Sequence, residues 1–499
     1  MSTSIVTSLM QRAEIALAAH KYVDAIALYE VVLAREADNV DALGRCAAAY
    51  RANGDAARAV TLILRAVRCA PDRADLRLDA AEALAVAGRH DEALAAYGEA
   101  RRLDPGNPDI ALGIARTHAK AGDYRQTVQA CRMALALVPG HRLAAHHLGQ
   151  ALVEIGAFDE AVTVLSDLVA ADPGLAAARA DLALLRLRLG DYTGGFRDWT
   201  PPEVPADAAP ARVWDGRPFA DGRLLIRVAD RPGDVLPFLR FVAPAKSLGG
   251  EVVLLLPRAL SRLGATVPGA DRLVVHERDA GEVTAAVSLF DLPARLGLTL
   301  GAVGVRAPYV AADAGLAERW SARLALRGGL RTIGLVWRGN ARLPADRWLA
   351  GPADLAPFAA LSDTRLIALQ KLSADEIVRA DTPSGWAVAA APFRLEHPGP
   401  DFEAGLDALA DTAAVMSRLD LLVSVAAPPL HLAGALGRPA IALLKAVPDW
   451  LWLSGRADSP WYPSLRLERQ AFGEGVAPVV ARALAAAAAV FAGARAPEK

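Results

Sequence analysis

The chain has 499 residues, 53% of them apolar, and its 55 Lys and Arg nearly balance 56 Asp and Glu. That length suits about three globular units, and the balanced charge provides no overall field favouring nucleic acid or an anionic membrane surface. Cys46, Cys69 and Cys131 lie far apart and form no metal-type pair, which fits a reducing cytoplasm. No basic segment precedes an apolar core near Met1, so no signal peptide is expected.

The first 199 residues repeat themselves. Pro71, Pro105, Pro139 and Pro173 recur every 34 residues, and Gly54, Gly88, Gly122, Gly156 and Gly190 keep the same step. Small residues stand in register: Ala47, Ala81, Ala115, Gly149 and Ala183 in the first helix of each unit. Ala59, Ala93, Thr127 and Ala161 hold the matching place in the second. Small side chains let two helices approach, Gly ends the first helix and Pro ends the second. The pattern resembles the tetratricopeptide repeat, with five clear units from about Asn39 to Trp199. A weaker unit precedes them, with Ala37 where Pro would stand. The resemblance implies an all-α superhelix whose concave face binds a polypeptide; a purely structural spacer is the alternative.

Residues 200–213, rich in proline (Pro201, Pro202, Pro205, Pro210), read as a connector. Beyond it, apolar runs alternate with helical patterns. RLLIRVA (223–229), EVVLLL (251–256) and TAAVSLF (284–290) form one set of strands. TIGLVW (332–337), RLIALQ (365–370), LDLLVSV (419–425) and AIALL (440–444) form another. Continuous apolar strands separated by helices predict parallel sheets buried on both faces. The expected lobes are 214–328 and 329–499, dividing near Gly328 and Gly329, with ligands at the carboxyl ends of strands. The apolar stretch 422–444 is broken by Pro428, Pro429, His431 and Arg438, so it reads as a strand and helix, with no membrane span.

Several strings at these strand ends carry polar chemistry. Asp234, after Gly233, suits either a general base or a helix cap. In GLVWRGN, Trp337, Gly339 and Asn340 follow a strand, and Arg338, Arg342 and Arg347 surround that loop. Backbone amides and guanidinium groups there suit a diphosphate, although an ordinary solvated loop has the same composition. Gln370 and Lys371 end the next strand, and His431 opens a later helix as either a ligand or a core residue. Trp450, Trp452, Trp461 and Tyr462 suit either a sugar or base platform or packing between lobes.

Taken together, VWDGRPF, GDVLPFLRF, GLVWRGN, IALQK, DTAAVMSRLDLLVSV, HLAGALGRPAIALL and VPDWLWL…SPWYPSLRLERQ resemble the bacterial tetratricopeptide-repeat glycosyltransferases, relatives of the protein O-GlcNAc transferases and heptosyltransferases. The resemblance covers nearly all of the second half. It implies a GT-B architecture of two Rossmann-like lobes behind the repeat array, and a nucleotide-sugar donor, CMP- or UDP-linked, with no metal or other cofactor. It makes Asp234 the candidate base. Trp337, Gly339, Asn340, Arg347, Gln370, Lys371, Pro429, Leu430 and His431 become the candidate donor-binding residues. The acceptor would be Ser or Thr of a polypeptide held by the repeats.

The chain departs from that family twice. Relatives carry Glu-Gln-Gly-x-Gly-Asp where this chain has Ala229 to Asp234, and Asp-Thr-x-x-x-His where it has Ala426 to His431. The second change removes two side-chain partners, and Pro428 and Pro429 remove two backbone donors. Arg231 and Arg347 suit a carboxylated donor, so flagellin modified from a CMP-activated nonulosonic acid such as pseudaminic acid is one expectation. A non-enzymatic repeat adaptor with a degenerate second half is the other. A transferase acting on glycolipid or lipopolysaccharide fits the repeats less well.

Overall fold

The computed structural model describes residues 2–199, 212–220, 222–303, 307–339, 348–407 and 409–493. It divides into two units, 1–181 and 182–499.

The repeats fold as helix pairs: α1 (Ser2–Ala18) with α2 (Tyr22–Arg35), α3 (Val40–Ala52) with α4 (Ala56–Cys69), and α5 (Ala74–Val86) with α6 (His90–Leu103). They continue with α7 (Pro108–Lys120) and α8 (Tyr124–Leu137), α9 (Arg142–Glu154) and α10 (Phe158–Ala171), and α11 (Ala176–Leu189) and α12 (Tyr192–Asp198). The glycine of each 34-residue step takes φ between 76° and 88°, the left-handed conformation that costs glycine least. The next residue then turns its N–H back across the helix end: Asp55 to Tyr50 O, Arg89 to Leu84 O, Asp123 to His118 O, each 2.9 Å. Asn39, Asp55, Asn107 and Asp123 cap the following helices with their side-chain oxygens, each worth about 1 kcal/mol.

The small positions are buried, with Ala47 3% exposed and Ala81, Ala115, Ala59, Ala93 and Ala161 fully covered. They mark real contacts. A Cβ on Gly149 would lie 2.5 Å from the Leu165 side chain. The weak first unit forms its helix pair as well, although Ala37 replaces proline. Cys46 and Cys131 fill this core, and burial pushes both thiols up to about 12.

The second unit begins inside α11, so α12 packs into its core and the repeat pattern runs past the compact unit it defines. Of the proline-rich connector, residues 200–211 lie outside the described residues. Arg212–Val213 form the edge strand β1, too short and exposed to be recognisable as a strand in sequence. The others are β2 (Arg223–Arg227), β3 (Glu251–Leu255), β4 (Arg272–Val274), β5 (Ala285–Ser288), β6 (Arg331–Val336), β7 (Thr364–Ala368), β8 (Ile377–Arg379), β9 (Trp386–Val388), β10 (Leu421–Val425), β11 (Ala440–Leu444) and β12 (Leu465–Arg469).

Two five-stranded parallel sheets result, with orders β1-β5-β2-β3-β4 and β12-β11-β10-β6-β7; β8 and β9 pair as a small antiparallel ribbon. The central strands β10 and β11 are buried at every position, as their unbroken apolar runs predict. In the first sheet the chain goes from β2 outward to β3 and β4, then returns to β5 on the other side of β2. In the second it goes from β6 to β7, then returns to β10 on the other side of β6. Each sheet therefore has a switch point, between β2 and β5 and between β6 and β10. That is where parallel sheets open a crevice at their carboxyl ends.

Short helices α13 (Pro232–Val235), α14 (Val242–Lys246), α15 (Ser261–Gly264) and α16 (Leu292–Arg295) follow the first set of strands. α17 (Ala314–Arg323), α18 (Ala410–Met416), α19 (Pro428–Ala435) and α20 (Val476–Gly493) go with the second. α17 precedes Gly328 in sequence but packs with the second sheet's layer: Trp320 Nε1–H donates to Asp411 at 2.7 Å. Among the described residues no helix is long and apolar enough to cross a membrane.

Candidate functional site

The two switch points meet. Gly233 is the second residue of α13, just after β2, and Pro428 the first of α19, just after β10. A Cβ on Gly233 would lie 2.6 Å from Pro428 Cγ. The carboxyl ends of the two sheets thus face one another within the second unit.

Asp234 sits on the near side. Arg231, not Asp234, occupies the N-cap position of α13, and the Asp234 carboxylate is 61% exposed with the Arg231 guanidinium 3.7 Å away. Among the described residues its side chain bonds no backbone N–H, so it remains open to a ligand. On the far side, α19 starts poorly equipped to hold an anion. Pro428 and Pro429 have no N–H, and the Leu430 N–H donates to Ala427 O at 2.9 Å. Pro429 is half-buried and the Leu430 side chain lies in the core.

His431 is a packed imidazole. Its ring stacks on Trp452 with centroids 5.0 Å apart, and Nδ1 lies 3.1 Å from the Tyr462 hydroxyl. Burial, helped by the Arg240 guanidinium, lowers its pKa to about 4, so the ring is neutral near pH 7. Arg240 itself is 1% exposed and forms no ion pair with a carboxylate among the described residues. It donates to Pro237 O, Val303 O and Tyr309 Oη. Its guanidinium also lies over the rings of Tyr309, Trp461 and Tyr462 at 4.8 to 5.0 Å. A lone arginine in LPFLRF carries no signal in the sequence, and Arg240 stands out only once the rings from residues 309, 461 and 462 surround it.

The tryptophan-rich string is packing. Trp450, Trp452, Trp461 and Tyr462 are all buried. Trp461 Nε1–H donates to Tyr192 Oη at 2.6 Å, and Trp450 packs edge-on against Phe196. Phe238 and Phe241, in the segment after β2, pack on Trp461. These rings join α12 to the segments after β2 and β11 and present no open platform for a sugar.

Of the loop after β6, Trp337 is buried with Arg338 6.0 Å over its ring, and Gly339 is half-buried. Asn340, Arg342 and Arg347 lie outside the described residues. Gln370 ties this loop down, its side-chain oxygen accepting the Arg338 backbone N–H at 3.0 Å. Lys371 Nζ donates to Glu403 O at 2.8 Å. Both residues stand at strand ends as expected, and both have structural partners there.

Residues 16–85, 84–126 and 119–185 match the tetratricopeptide repeat family. The first unit is a tetratricopeptide-repeat array. The chain is similar to Protein FlbA of Caulobacter vibrioides, 27% identical over 319 residues, covering 58% of this chain and 50% of that protein. It thus spans about half the length of this curated relative. Among solved structures, the repeat array is similar to a thermophilic TPR protein of Thermus thermophilus (19% identity, 36% of this chain and 99% of that one, TM-score 0.32). It is also similar to MamA of Desulfovibrio magneticus (15% identity, 34% and 96%, TM-score 0.32).

Proposed function

We propose that the chain is a protein glycosyltransferase of GT-B type, in which the repeat array binds an acceptor polypeptide and the cleft of the second unit transfers a sugar to it. The observation that carries this reading is the meeting of the two switch points at Gly233 and Pro428, with the exposed Asp234 carboxylate, 3.7 Å from the Arg231 guanidinium, beside them. Repeat arrays of this kind are protein-interaction modules. Two parallel sheets facing each other at their carboxyl ends make a crevice suited to a nucleotide sugar. In this reading a carboxylate at the cleft takes the acceptor proton while the anomeric carbon is attacked.

The donor is a nucleotide sugar whose own carboxylate takes over part of the role that an Asp-Thr pair would play at Ala426 and Ala427. A CMP-linked nonulosonate with flagellin as acceptor is the first combination to try. Purified protein with flagellin should release CMP or UDP from one donor of a CMP- and UDP-sugar panel, and release should need both donor and flagellin. No nucleotide release from any donor counts against the reading.

One observation favours a second reading, a non-enzymatic adaptor. The α19 start has alanines where side-chain partners would stand, its first two residues have no N–H, the Leu430 N–H is bonded to Ala427 O, and its histidine is neutral. Under that reading flagellin binding persists and no donor is consumed.

A further inference from the structure

The transfer step leaves Arg240 and the rings around it unused, although they lie along α19. The Arg240 guanidinium is 4.8 Å from the Tyr309 ring centre and 5.0 Å from those of Trp461 and Tyr462. Two of these rings are fixed to the helix. Tyr309 N–H donates to Ala435 O at 3.0 Å, and the Tyr462 ring presses on Gly434, where a Cβ would lie 2.1 Å from it. The Tyr462 hydroxyl then reaches back along α19 to within 3.1 Å of His431 Nδ1. A cation buried without a carboxylate partner sets the field over the groups around it.

The contact between Tyr462 and His431 has two possible senses, and the surroundings choose one. Tyr462 is fully covered, and burial holds its phenol well above the ordinary value, so the hydroxyl keeps its hydrogen. His431 is neutral near pH 7 and carries a single N–H. If that N–H stood at Nδ1, the covered phenol hydrogen would have no acceptor at hydrogen-bond distance among the described residues. Arg240 acts in the same direction, since a cation draws a neighbouring hydroxyl oxygen toward itself and turns the hydrogen away. Nε2, on the other side of the ring, bonds no group among the described residues. The ring itself is half-buried, stacked on Trp452 at 5.0 Å.

We propose that Tyr462, with Arg240 behind it, fixes His431 as the tautomer with its hydrogen on Nε2, so that α19 presents one oriented N–H to an anionic oxygen of the nucleotide sugar; this rests on the transferase reading above. Pro428 and Pro429 have no N–H, and the Leu430 N–H is bonded to Ala427 O. The imidazole thus restores a donor that the start of the helix lacks. Tyr462 and Arg240 touch no ligand in this scheme and are positioning residues.

Nitrogen NMR of the full chain with isotope-labelled histidine reads the tautomer directly, the His431 signals being assigned by their loss in His431→Gln. Nδ1 should show the shift of an unprotonated ring nitrogen and Nε2 that of an N–H. Tyr462→Phe, which keeps the ring and removes the hydroxyl, should spread the hydrogen over both nitrogens. Arg240→Met should do so in part, and Tyr462→Phe keeps the test where Arg240→Met fails to fold. With the productive donor and flagellin, Tyr462→Phe should raise the donor KM about 3- to 10-fold and leave the flagellin KM unchanged. CMP or UDP alone should move the wild-type Nε2 signal where a phosphate is the acceptor, and N-acetylneuraminate alone where the sugar carboxylate is. A wild-type hydrogen on Nδ1, a Tyr462→Phe spectrum identical to wild type, or an Nε2 signal that none of these probes moves overturns the assignment. A chain that has the Nε2–H tautomer, loses it in Tyr462→Phe and transfers from no donor keeps the positioning role and overturns the transferase reading alone.

Discussion

Gly233 touches Pro428: any side chain at residue 233 would have its Cβ 2.6 Å from Pro428 Cγ and 3.1 Å from its Cβ. Two turns almost 200 residues apart in sequence are thereby held at contact distance. Gly233 lies outside the left-handed backbone region, so its small size, and not its backbone freedom, is what this contact uses.

Gly233→Ala should therefore act through collision alone. A proline ring cannot swing aside, so the two turns must part, at a cost of about 1–3 kcal/mol. Denaturant unfolding followed by tryptophan fluorescence should show a lowered midpoint, and transfer should fall with it. An unchanged midpoint would mean that the turns do not meet as described.

His431 should titrate far below an ordinary histidine. Its pKa is about 4 in the folded chain against about 6.5 unfolded. Because the folded value is depressed, its contribution to stability is complete above pH 6.5 and is lost as pH falls through 4. The loss is on the order of 3 kcal/mol. Arg240→Met should raise the His431 value, since the guanidinium opposes a second positive charge nearby. Proton NMR of the imidazole reports both; a wild-type titration near 6.5 would show an open, solvated ring.

The hydrogen bond from Trp461 to Tyr192 is fully buried, and both residues belong to the second unit. Tyr192→Phe leaves the indole N–H without an acceptor and should cost about 1–3 kcal/mol. Calorimetry should show a lower Tm for the transition that includes residues 182–499, and no change would place the ring pair outside the core.

Two repeat glycines separate strain from packing. Gly122 has φ 78° and open space around its Cβ position, so Gly122→Ala should cost only about 1 kcal/mol through the backbone. Gly149 sits against Leu165 at 2.5 Å, so Gly149→Val should cost about 1–3 kcal/mol through overpacking. Equal effects of the two changes in urea unfolding would contradict this division.

The repeat array was legible in sequence because its signals are local: the left-handed glycine, the small contact position and the helix-ending proline recur every 34 residues. The inner strands were legible for the same reason, since burial on both faces leaves an unbroken apolar run. The edge strands β1, β4 and β12 were not, because exposed positions such as Val213 or the first two of β4 break that run. The site was legible only in outline. Asp234 and the α19 turn stand at strand ends, whereas the covered state of Trp450 and Trp461 depends on Tyr192, Phe196, Phe238 and Phe241, far away in the chain.

The intact mass of flagellin co-expressed with the chain and a supply of nucleotide sugar tests the transferase reading most directly. Flagellin should gain one or more whole sugar masses with the wild-type chain and none with an Asp234→Asn variant that still binds flagellin. Flagellin that stays unmodified under every donor, or gains the same mass with the Asp234→Asn variant, would contradict the account.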